Sequence, residues 1–401
     1  MIQRFQVQNY KALRDVTLEL TPIHVLIGPN DTGKTSILEA LAALCRSVDH
    51  LLAEAFTGSW TGNQLVWLGR RDLSIKLNAW IRDQGTANIP GGFLYSLECS
   101  STPDGRSMKI ANEVADLEPA PKITLTAKDS NHSRVYQVSY RGATNEPGNI
   151  KEVADHLFDS LRGVQSYRWD ARFLALPVAP DAKRRFRMEP SGFGLALFLD
   201  DILGFDRDLF IRLEQRFSEV FPHVKSIKLI PEPAFKSPVD DPEQIPMLQK
   251  SDGKGIYFEF QNGGELVPAR QVSDGVLLVL AYLAVLHLPE PPRLLLVEEP
   301  ENGIHPKRLK EVISILRSLI AEQSQTQVLL TTHSPYVVDL FKPEEVTLCK
   351  KEPDGSVSVR RLSESKSVQE QLDVFTLGEI WTAEGDEALA QPGVPQGEPQ
   401  G

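Results

Sequence analysis

The chain has 401 residues, 41% hydrophobic and 24% charged, a composition typical of a folded, water-soluble protein with one large domain or two smaller ones. A net charge of −11 argues against a protein coated in basic surface for nucleic acid, although a local basic patch is compatible with it. Three widely spaced cysteines, no apolar signal region and no apolar run of membrane-spanning length argue against a disulfide framework, a cysteine metal site and a membrane protein, so we expect a cytoplasmic protein.

The N-terminal part, residues 1–150, predicts a lobe that combines strands with one helix. Residues 1–27 show period-two apolar patches and end in the apolar run 24–27, which is typical of a central strand. Residues 35–47 carry apolar positions on one helical face. Residues 64–140 contain short β-like segments separated by turn residues and predict a meander of antiparallel strands; one of these segments is Val135–Val138.

The rest of the chain predicts a helical insertion, a second lobe and a tail. Residues 151–254 are mainly helical and end in a loop, 231–254, that is rich in proline and acidic residues. Residues 255–384 alternate apolar strands with helices and predict a C-terminal lobe. Residues 385–401 are rich in Gly, Pro, Gln and Glu and predict a disordered tail.

A phosphate-binding loop is predicted between the apolar strand and the first helix. Its eight residues match the pattern G-x-x-x-x-G-K-[ST]: Gly28, Pro29, Asn30, Asp31, Thr32, Gly33, Lys34 and Thr35. The glycines let the backbone curl so that its N–H groups face phosphate oxygens, and the helix that follows, with Ser36, adds a partial positive charge. Lys34 would reach the β- and γ-phosphates, and Thr35 would offer a hydroxyl to Mg²⁺. The alternative is a glycine-rich turn with a chance match.

Two carboxylates follow the apolar strand 294–297 directly. Ligands of parallel sheets bind at the carboxyl ends of strands, and successive side chains point to opposite sides. One carboxylate could therefore hold Mg²⁺ while the next faces an attacking water. We assign Glu298 to the metal and Glu299 to the general base. The alternative is a pair of solvated acids after a core strand.

A histidine ends the apolar strand 327–332. Ser334 and Pro335, which follow it, suit the start of another helix. His333 is thereby predicted at the same sheet edge, where a neutral imidazole could donate to the γ-phosphate and sense its loss. The alternative is a structural histidine.

The sequence Val272-Ser273-Asp274-Gly275 opens the apolar helix 276–286. Ser273 is a good helix cap, and this is the structural alternative. In the functional interpretation, Ser273, Gly275 and the N–H groups of the helix start bind the γ-phosphate of ATP held by a partner molecule.

The order of these four motifs resembles that of the ABC-class ATPases. It differs from the AAA+ ring ATPases, whose acidic strand lies closer to the phosphate loop. Within the class, Phe5–Leu13, Glu298–Pro306 and Thr331–Pro335 are similar to segments of the RecF/SMC/OLD-like branch, and Pro190–Gly194 matches more loosely. The resemblance implies an α/β fold: a P-loop NTPase with an ABC-type head, built from a mixed, mainly parallel sheet flanked by helices, an antiparallel β lobe and a helical insertion.

The resemblance also implies a homodimer that sandwiches ATP and Mg²⁺ between its two copies. Each site would combine residues of one copy with Ser273 and Gly275 of the other; the first set is Lys34, Thr35, Glu298, Glu299 and His333. Asp274 and Val276 stand where transporter ATPases have Gly and Gln, and the lid glutamine is open between Gln64 and Gln84. Long heptad arms are absent, and we find no acidic nuclease module after residue 345.

Three functions follow as hypotheses. The first is an ATP-hydrolysing dimer that acts on DNA or on an effector, in repair or phage defence. The basic run 181–187 could contact phosphates, or could be a solvated loop, and Tyr167, Arg168, Trp169 and Arg172 could stack on bases or pack in the core. The second is an ATP-sensing regulatory subunit that restrains a separate nuclease or toxin. The third, a transporter ATPase, fits the segment after Glu299 poorly.

Overall fold

The computed structural model describes residues 1–56, 60–82, 92–117, 123–125, 130–143, 147–181, 185–236, 249–323 and 325–393. The chain divides into two compact units. The first unit contains Met1–Gln165, Pro292–Leu296 and Gln325–Gly401, and the second contains Ser166–Pro291 and Val297–Ser324. The division predicted from the sequence, with boundaries at residues 150 and 254, stays a prediction.

Within these residues the strands are β1 (Ile2–Tyr10), β2 (Leu13–Glu19), β3 (Ile23–Ile27), β4 (Ile75–Ile81), β5 (Phe93–Ser101), β6 (Met108–Leu117), β7 (Ile123–Thr124), β8 (Val164–Tyr167), β9 (Val224–Lys236), β10 (Gln249–Phe260), β11 (Val267–Pro268), β12 (Leu294–Glu298), β13 (Gln327–Thr331), β14 (Val346–Lys351) and β15 (Val357–Arg361). The α-helices are α1 (Lys34–Arg46), α2 (Leu52–Ala55), α3 (Gly148–Leu161), α4 (Ala171–Leu174), α5 (Leu195–Phe205), α6 (Arg207–Val220), α7 (Asp274–Leu286), α8 (Pro306–Glu322), α9 (Pro335–Val338), α10 (Lys366–Gln371) and α11 (Leu377–Leu389).

One sheet of the first unit carries the ends of several predicted motif strands. Its strand order is β15-β14-β3-β13-β12-β8, and β3 is parallel to both β13 and β14. Every residue of β3 and of β13 is buried, which explains why both read as continuous apolar runs. The histidine of β3, His24, bonds through its ring to the hydroxyls of Thr21 (3.0 Å) and Thr347 (2.9 Å). Burial lowers the pKa of His24 to about 3, so this ring is neutral and joins β3 to β14.

The second sheet of the first unit is antiparallel, with the order β2-β1-β4-β5-β6-β7. Its strands alternate between buried and more exposed residues, as in β4 and β5. The buried side chains join those of α1 in one hydrophobic core that also includes Leu329 and Cys349. The predicted antiparallel lobe is therefore present, and its core supports the helix that follows the phosphate loop.

The second unit is built around α7, in which all residues from Val276 to Leu286 are buried. A helix that is apolar on every side must be covered on every side. The unit also contains α4, α5, α6, α8 and a three-stranded sheet of order β11-β10-β9.

Three local predictions were wrong. The segment Val135–Val138, predicted as a strand, belongs to a helical turn that continues as the π-helix Tyr136–Tyr140. The predicted loop 231–254 is largely the hairpin β9–β10, apart from 237–248, which lie outside the described residues. Its prolines suggested a loop, but β9 is an edge strand, where proline is tolerated. The tail was predicted to begin too early, because α11 continues to Leu389; residues 394–401 lie outside the described part.

Candidate functional site: a phosphate loop and a glutamate turn

The phosphate loop, residues 28–35, joins β3 to α1 in the first unit. Its two glycines have backbone angles that other residues rarely adopt, with φ of 135° at Gly28 and 78° at Gly33. A Cβ atom at Gly28 would lie 2.2 Å from the carbonyl oxygen of Cys349, and one at Gly33 would lie 2.7 Å from Cγ2 of Val357. Packing against the β14–β15 hairpin therefore requires glycine at both positions, in addition to any requirement from a bound phosphate.

Lys34 begins α1 and is buried, and its ammonium group turns back over the loop. Nζ donates to the carbonyl oxygens of Gly28 (2.8 Å) and Pro29 (2.6 Å). The Thr32 hydroxyl donates to the same Pro29 oxygen at 2.9 Å. These bonds hold the positive charge inside the curl of the backbone, where the sequence predicts phosphate oxygens. Thr35 is exposed and Ser36 half-buried in the first turn of α1.

The β14–β15 hairpin is a support for this loop that the sequence did not reveal. Lys351, at the end of β14, forms an ion pair with Asp31 in the exposed part of the loop. Together with the Cys349 carbonyl and Val357, it fixes the loop from one side. Residues 349–357 carry no nucleotide-binding pattern, and only the parallel pairing of β14 with β3 places them there.

His333 lies at the same sheet edge as the phosphate loop. Thr331 pairs with Leu26, and the Thr332 N–H donates to the Leu26 carbonyl at 3.1 Å. His333 therefore follows β13 at the level where Gly28 follows β3. Its ring is half-buried, and the next turn is fixed by a bond from the Ser334 N–H to the Thr332 hydroxyl oxygen at 3.0 Å. The strand register therefore places His333 and Gly28 at one edge of this sheet, and a role for His333 at the phosphates stays a prediction.

The glutamate turn, residues 298–303, belongs mainly to the second unit. Glu298 is the last residue of β12, and both Glu298 and Glu299 are half-buried. Glu299 has a φ of 49°, a left-handed conformation that is uncommon for a residue with a side chain. The Asn302 N–H closes the turn on the Glu299 carbonyl at 3.0 Å.

The start of α7 packs beside this turn. A Cβ atom at Gly303 would lie 3.3 Å from Cβ of Asp274, and Gly275 faces the Gly303 carbonyl. Ser273 precedes the helix and is exposed. Within the described residues, its side chain forms no capping hydrogen bond with the first turn of α7. Within the second unit, the far end of the turn that begins with Glu298 and Glu299 therefore packs against the start of α7. That these two segments converge with Lys34 and His333 stays a prediction.

The Thr35 hydroxyl and the Glu298 carboxylate are hard oxygen groups of the kind that Mg²⁺ prefers. Thr35 lies in the first unit and Glu298 in the second, and that they hold one ion together stays a prediction. Within the described residues there is no group of three or more His, Cys, Asp or Glu side chains that could hold a metal by itself. A magnesium ion at this site would take its remaining ligands from phosphate and water, as it commonly does in nucleotide sites.

Comparisons with known families and proteins agree with this geometry. A family model described as "AAA domain, putative AbiEii toxin, Type IV TA system" matches residues 126–339, more than half of the chain. A model described as "AAA ATPase domain" matches residues 1–89. The OLD nuclease of Thermus scotoductus is 23% identical to this chain in an alignment that is 420 residues long. The alignment covers 97% of this chain and 70% of the nuclease.

Two solved structures show the same fold. An SMC head bound to the C-winged helix domain of ScpA has a TM-score of 0.52 and 16% identity, with 90% of this chain and 97% of that chain covered. An SMC head with an extended coiled coil, bound to the C-terminal domain of ScpA and derived from Pyrococcus furiosus, also has a TM-score of 0.52, with 14% identity and coverage of 93% and 99%. The likeness confirms the predicted mixed α/β head. Among the helices of the described residues, none has the length and apolar character needed to cross a membrane.

Proposed function

We propose that ATP closes two copies of this chain into a dimer that acts on DNA, as expected of the ABC-class group of RecF-, SMC- and OLD-like ATPases. The chain belongs to the family of AAA ATPase domains whose model it matches. The observation that carries the proposal is the phosphate loop with Lys34 curled over it, level with His333 at one sheet edge. Such an edge is where parallel sheets bind their ligands.

In the proposed site each motif has one task. The N–H groups of the phosphate loop and Lys34 bind the β- and γ-phosphates, and Thr35 and Glu298 hold Mg²⁺, which neutralises phosphate charge. Glu299 accepts the proton of the attacking water. His333 donates to the γ-phosphate and loses that partner on hydrolysis.

The dimer is proposed from the start of α7. Ser273 and Gly275 are placed to offer a hydroxyl and N–H groups to the γ-phosphate held by the other copy. Asp274 lies in the same turn, and its negative charge requires a cation close by. The guanidinium of Arg172 forms an ion pair with Asp170 at 2.6 Å and exerts a weaker electrostatic attraction on Asp274.

Action on DNA, in repair or phage defence, is proposed from the OLD nuclease likeness and from the exposed Arg185 and Arg187. The rest of the basic run, residues 182–184, lies outside the described residues. Tyr167 and Trp169 are buried against each other, with ring centroids 4.8 Å apart, so they pack in the core and are not surfaces for stacking bases.

A second candidate is a regulatory subunit whose ATP-bound dimer restrains a separate nuclease or toxin. The family description, which names a toxin–antitoxin system, favours this candidate. The two candidates differ in what the closed dimer holds: DNA in the first, and an effector protein in the second.

The substitution Glu299→Gln tests the site. We expect it to preserve ATP binding and to slow hydrolysis by about 100- to 10,000-fold, because the amide cannot accept a proton. Hydrolysis is measured by phosphate release and affinity by titration with a fluorescent ATP analogue. The matched control is Glu265→Gln, an equal change at an exposed position. Wild-type turnover in Glu299→Gln would remove the assignment of the base.

The same variant tests dimerisation and partner choice. With ATP, Glu299→Gln should double its mass in light scattering, whereas Lys34→Ala should stay a monomer. Capture from cells with Glu299→Gln, with and without ATP, then separates the candidates: ATP-dependent DNA recovery supports the first, and ATP-dependent recovery of one protein without DNA supports the second. A monomer under all conditions would contradict the dimer.

A further inference from the structure

The Oε2 atom of Glu299 accepts a hydrogen bond from within the glutamate turn. Asn302, three residues later in the glutamate turn, donates from Nδ2 to Oε2 of Glu299 at 2.7 Å. The same two residues are joined through the backbone, since the Asn302 N–H bonds to the Glu299 carbonyl at 3.0 Å. The two bonds fix both the left-handed turn and the side chain that it presents.

A second donor reaches the same oxygen from a distant part of the sequence. Nη2 of Arg168 lies 3.4 Å from Oε2 of Glu299. Arg168 follows β8, and its backbone is anchored: its N–H bonds to the Pro190 carbonyl, and the N–H of Asp170 bonds to the Ser191 carbonyl, both at 2.9 Å. Between them, the Trp169 ring packs against Tyr282 of α7, with centroids 4.5 Å apart.

This arrangement contributes little to stability. The Arg168 side chain is 63% exposed and that of Glu299 only 20% exposed, and exposed ion pairs contribute about 0 to 1 kcal/mol. Two donors on one oxygen nevertheless fix the plane of the carboxylate, and a general base works only when its acceptor orbitals face the proton. The arrangement therefore suits orientation better than it suits folding.

We propose that Asn302 and Arg168 are positioning residues for Glu299, which hold its Oε2 atom so that the carboxylate meets the attacking water in a fixed orientation. The proposal rests on the assignment of Glu299 as the base under the proposed function. It adds two residues to which the sequence assigned no part in hydrolysis: Asn302, in the turn, and Arg168, 131 positions from Glu299 in the sequence.

The test measures ATP turnover and ATP affinity separately in Asn302→Ala, Arg168→Gln and Arg168→Lys. Asn302→Ala and Arg168→Gln should each lower kcat by about 10- to 100-fold, the loss expected when a catalytic group is misplaced by about 1 Å. KM and ATP affinity should stay within about twofold, because neither residue is assigned a contact with nucleotide. Arg168→Lys, which keeps a donor and the charge, should recover part of the loss.

The matched control is Arg216→Gln. Arg216 forms an ion pair with Glu322 at 2.6 Å in the same unit and has no assigned role in the site. This variant should keep wild-type kcat. If it loses as much activity as Arg168→Gln, the loss reflects a general effect of removing an ion pair and the proposal is overturned.

A double substitution separates positioning from direct action. Arg168→Gln combined with Glu299→Gln should hydrolyse ATP no more slowly than Glu299→Gln alone, because a positioning residue acts through the base. A further tenfold loss would mean that Arg168 acts independently and would overturn the proposal. Slow hydrolysis in Glu299→Gln with normal kcat in Asn302→Ala and Arg168→Gln would remove this inference alone. Normal hydrolysis in Glu299→Gln would remove the proposed base itself.

Discussion

The phosphate loop and the glutamate turn place strained backbone at different kinds of residue. In the phosphate loop, the two tightly packed residues with a positive φ are glycines, Gly28 and Gly33. Asp31 also has a positive φ, but its side chain is exposed. In the glutamate turn, Gly303 also has a positive φ, 78°, but here the proposed base, Glu299, takes the left-handed conformation as well. A loop that binds through N–H groups must keep side chains away, whereas a turn that presents a side chain must accept strain at that residue.

Of the substitutions proposed here, Gly28→Ala in the phosphate loop should reduce stability and ATP binding the most. The added Cβ would meet the Cys349 carbonyl oxygen at 2.2 Å, and neither backbone segment can yield without disturbing the sheet. We expect a loss of about 3 kcal/mol or more in the free energy of unfolding, together with loss of ATP binding. Urea denaturation and nucleotide titration measure the two effects.

Gly355 provides the matched control for this change. It also has a positive φ, 81°, but a Cβ there would meet nothing within 4 Å. Gly355→Ala should therefore cost only the conformational strain, about 1 kcal/mol, and should leave ATP binding intact. Equal losses in the two variants would show that the contact with Cys349 does not constrain the loop.

Two glutamates of the protein, Glu113 in the core and Glu299 in the candidate site, differ in their exposure to water. Glu113 on β6 is fully buried, and it accepts bonds from the Tyr95 hydroxyl (2.9 Å) and from the Arg134 N–H (2.6 Å). Burial raises the pKa of Glu113 to about 7, against an ordinary value of 4.5, although these bonds oppose the shift. Glu299, by contrast, is half-buried and can meet water.

The raised pKa of Glu113 determines the direction in which the free energy of unfolding changes with pH. Between pH 4.5 and 7 the folded protein holds the Glu113 proton more tightly than the unfolded chain does. The free energy of unfolding should therefore fall as pH rises through this window, by up to about 3 kcal/mol from this group. Urea denaturation at pH 5 and at pH 8, in wild type and in Glu113→Gln, measures the effect.

The difference between wild type and Glu113→Gln isolates this group. His24 and His287 have lowered pKa values and act in the opposite direction, but their contribution is common to both proteins and cancels. Glu98→Gln, on the neighbouring strand β5 in a half-buried ion pair with Lys76, should keep the wild-type pH dependence. An unchanged slope in Glu113→Gln would contradict the assignment.

The sequence could predict those parts of the site that depend on local pattern. Apolar runs before Gly28 and His333 predicted two buried strands, and their parallel pairing places both residues at one edge. The burial of helix α7 could be predicted in the same way, because an uninterrupted apolar stretch must be covered on all sides. In these segments, local periodicity and tertiary position follow from the same residues.

Contacts between distant segments could not be predicted. No periodicity links Arg168 to Glu299 or Lys351 to Asp31, and these pairs appear only once the strands have been ordered in the sheets. The hairpin β9–β10 was missed for a related reason: Pro231 and Pro233 are typical of a loop unless the strand lies at an edge, and edge position is a property of the whole sheet.

The left-handed conformation of Glu299 should have a small but measurable effect on stability. Glu299→Ala and Glu299→Gly both remove the carboxylate and its bond to Asn302, so these losses cancel between the two variants. At a φ of 49°, alanine bears a strain of about 1 to 2 kcal/mol that glycine avoids, whereas glycine gives the unfolded chain about 0.5 to 1 kcal/mol of extra entropy. Glu299→Gly should therefore be the more stable variant by up to about 1.5 kcal/mol in urea denaturation, although neither variant should hydrolyse ATP at an appreciable rate. If Glu299→Ala is the more stable variant, the turn does not hold a left-handed residue at this position, and the contrast with the glycines of the phosphate loop fails.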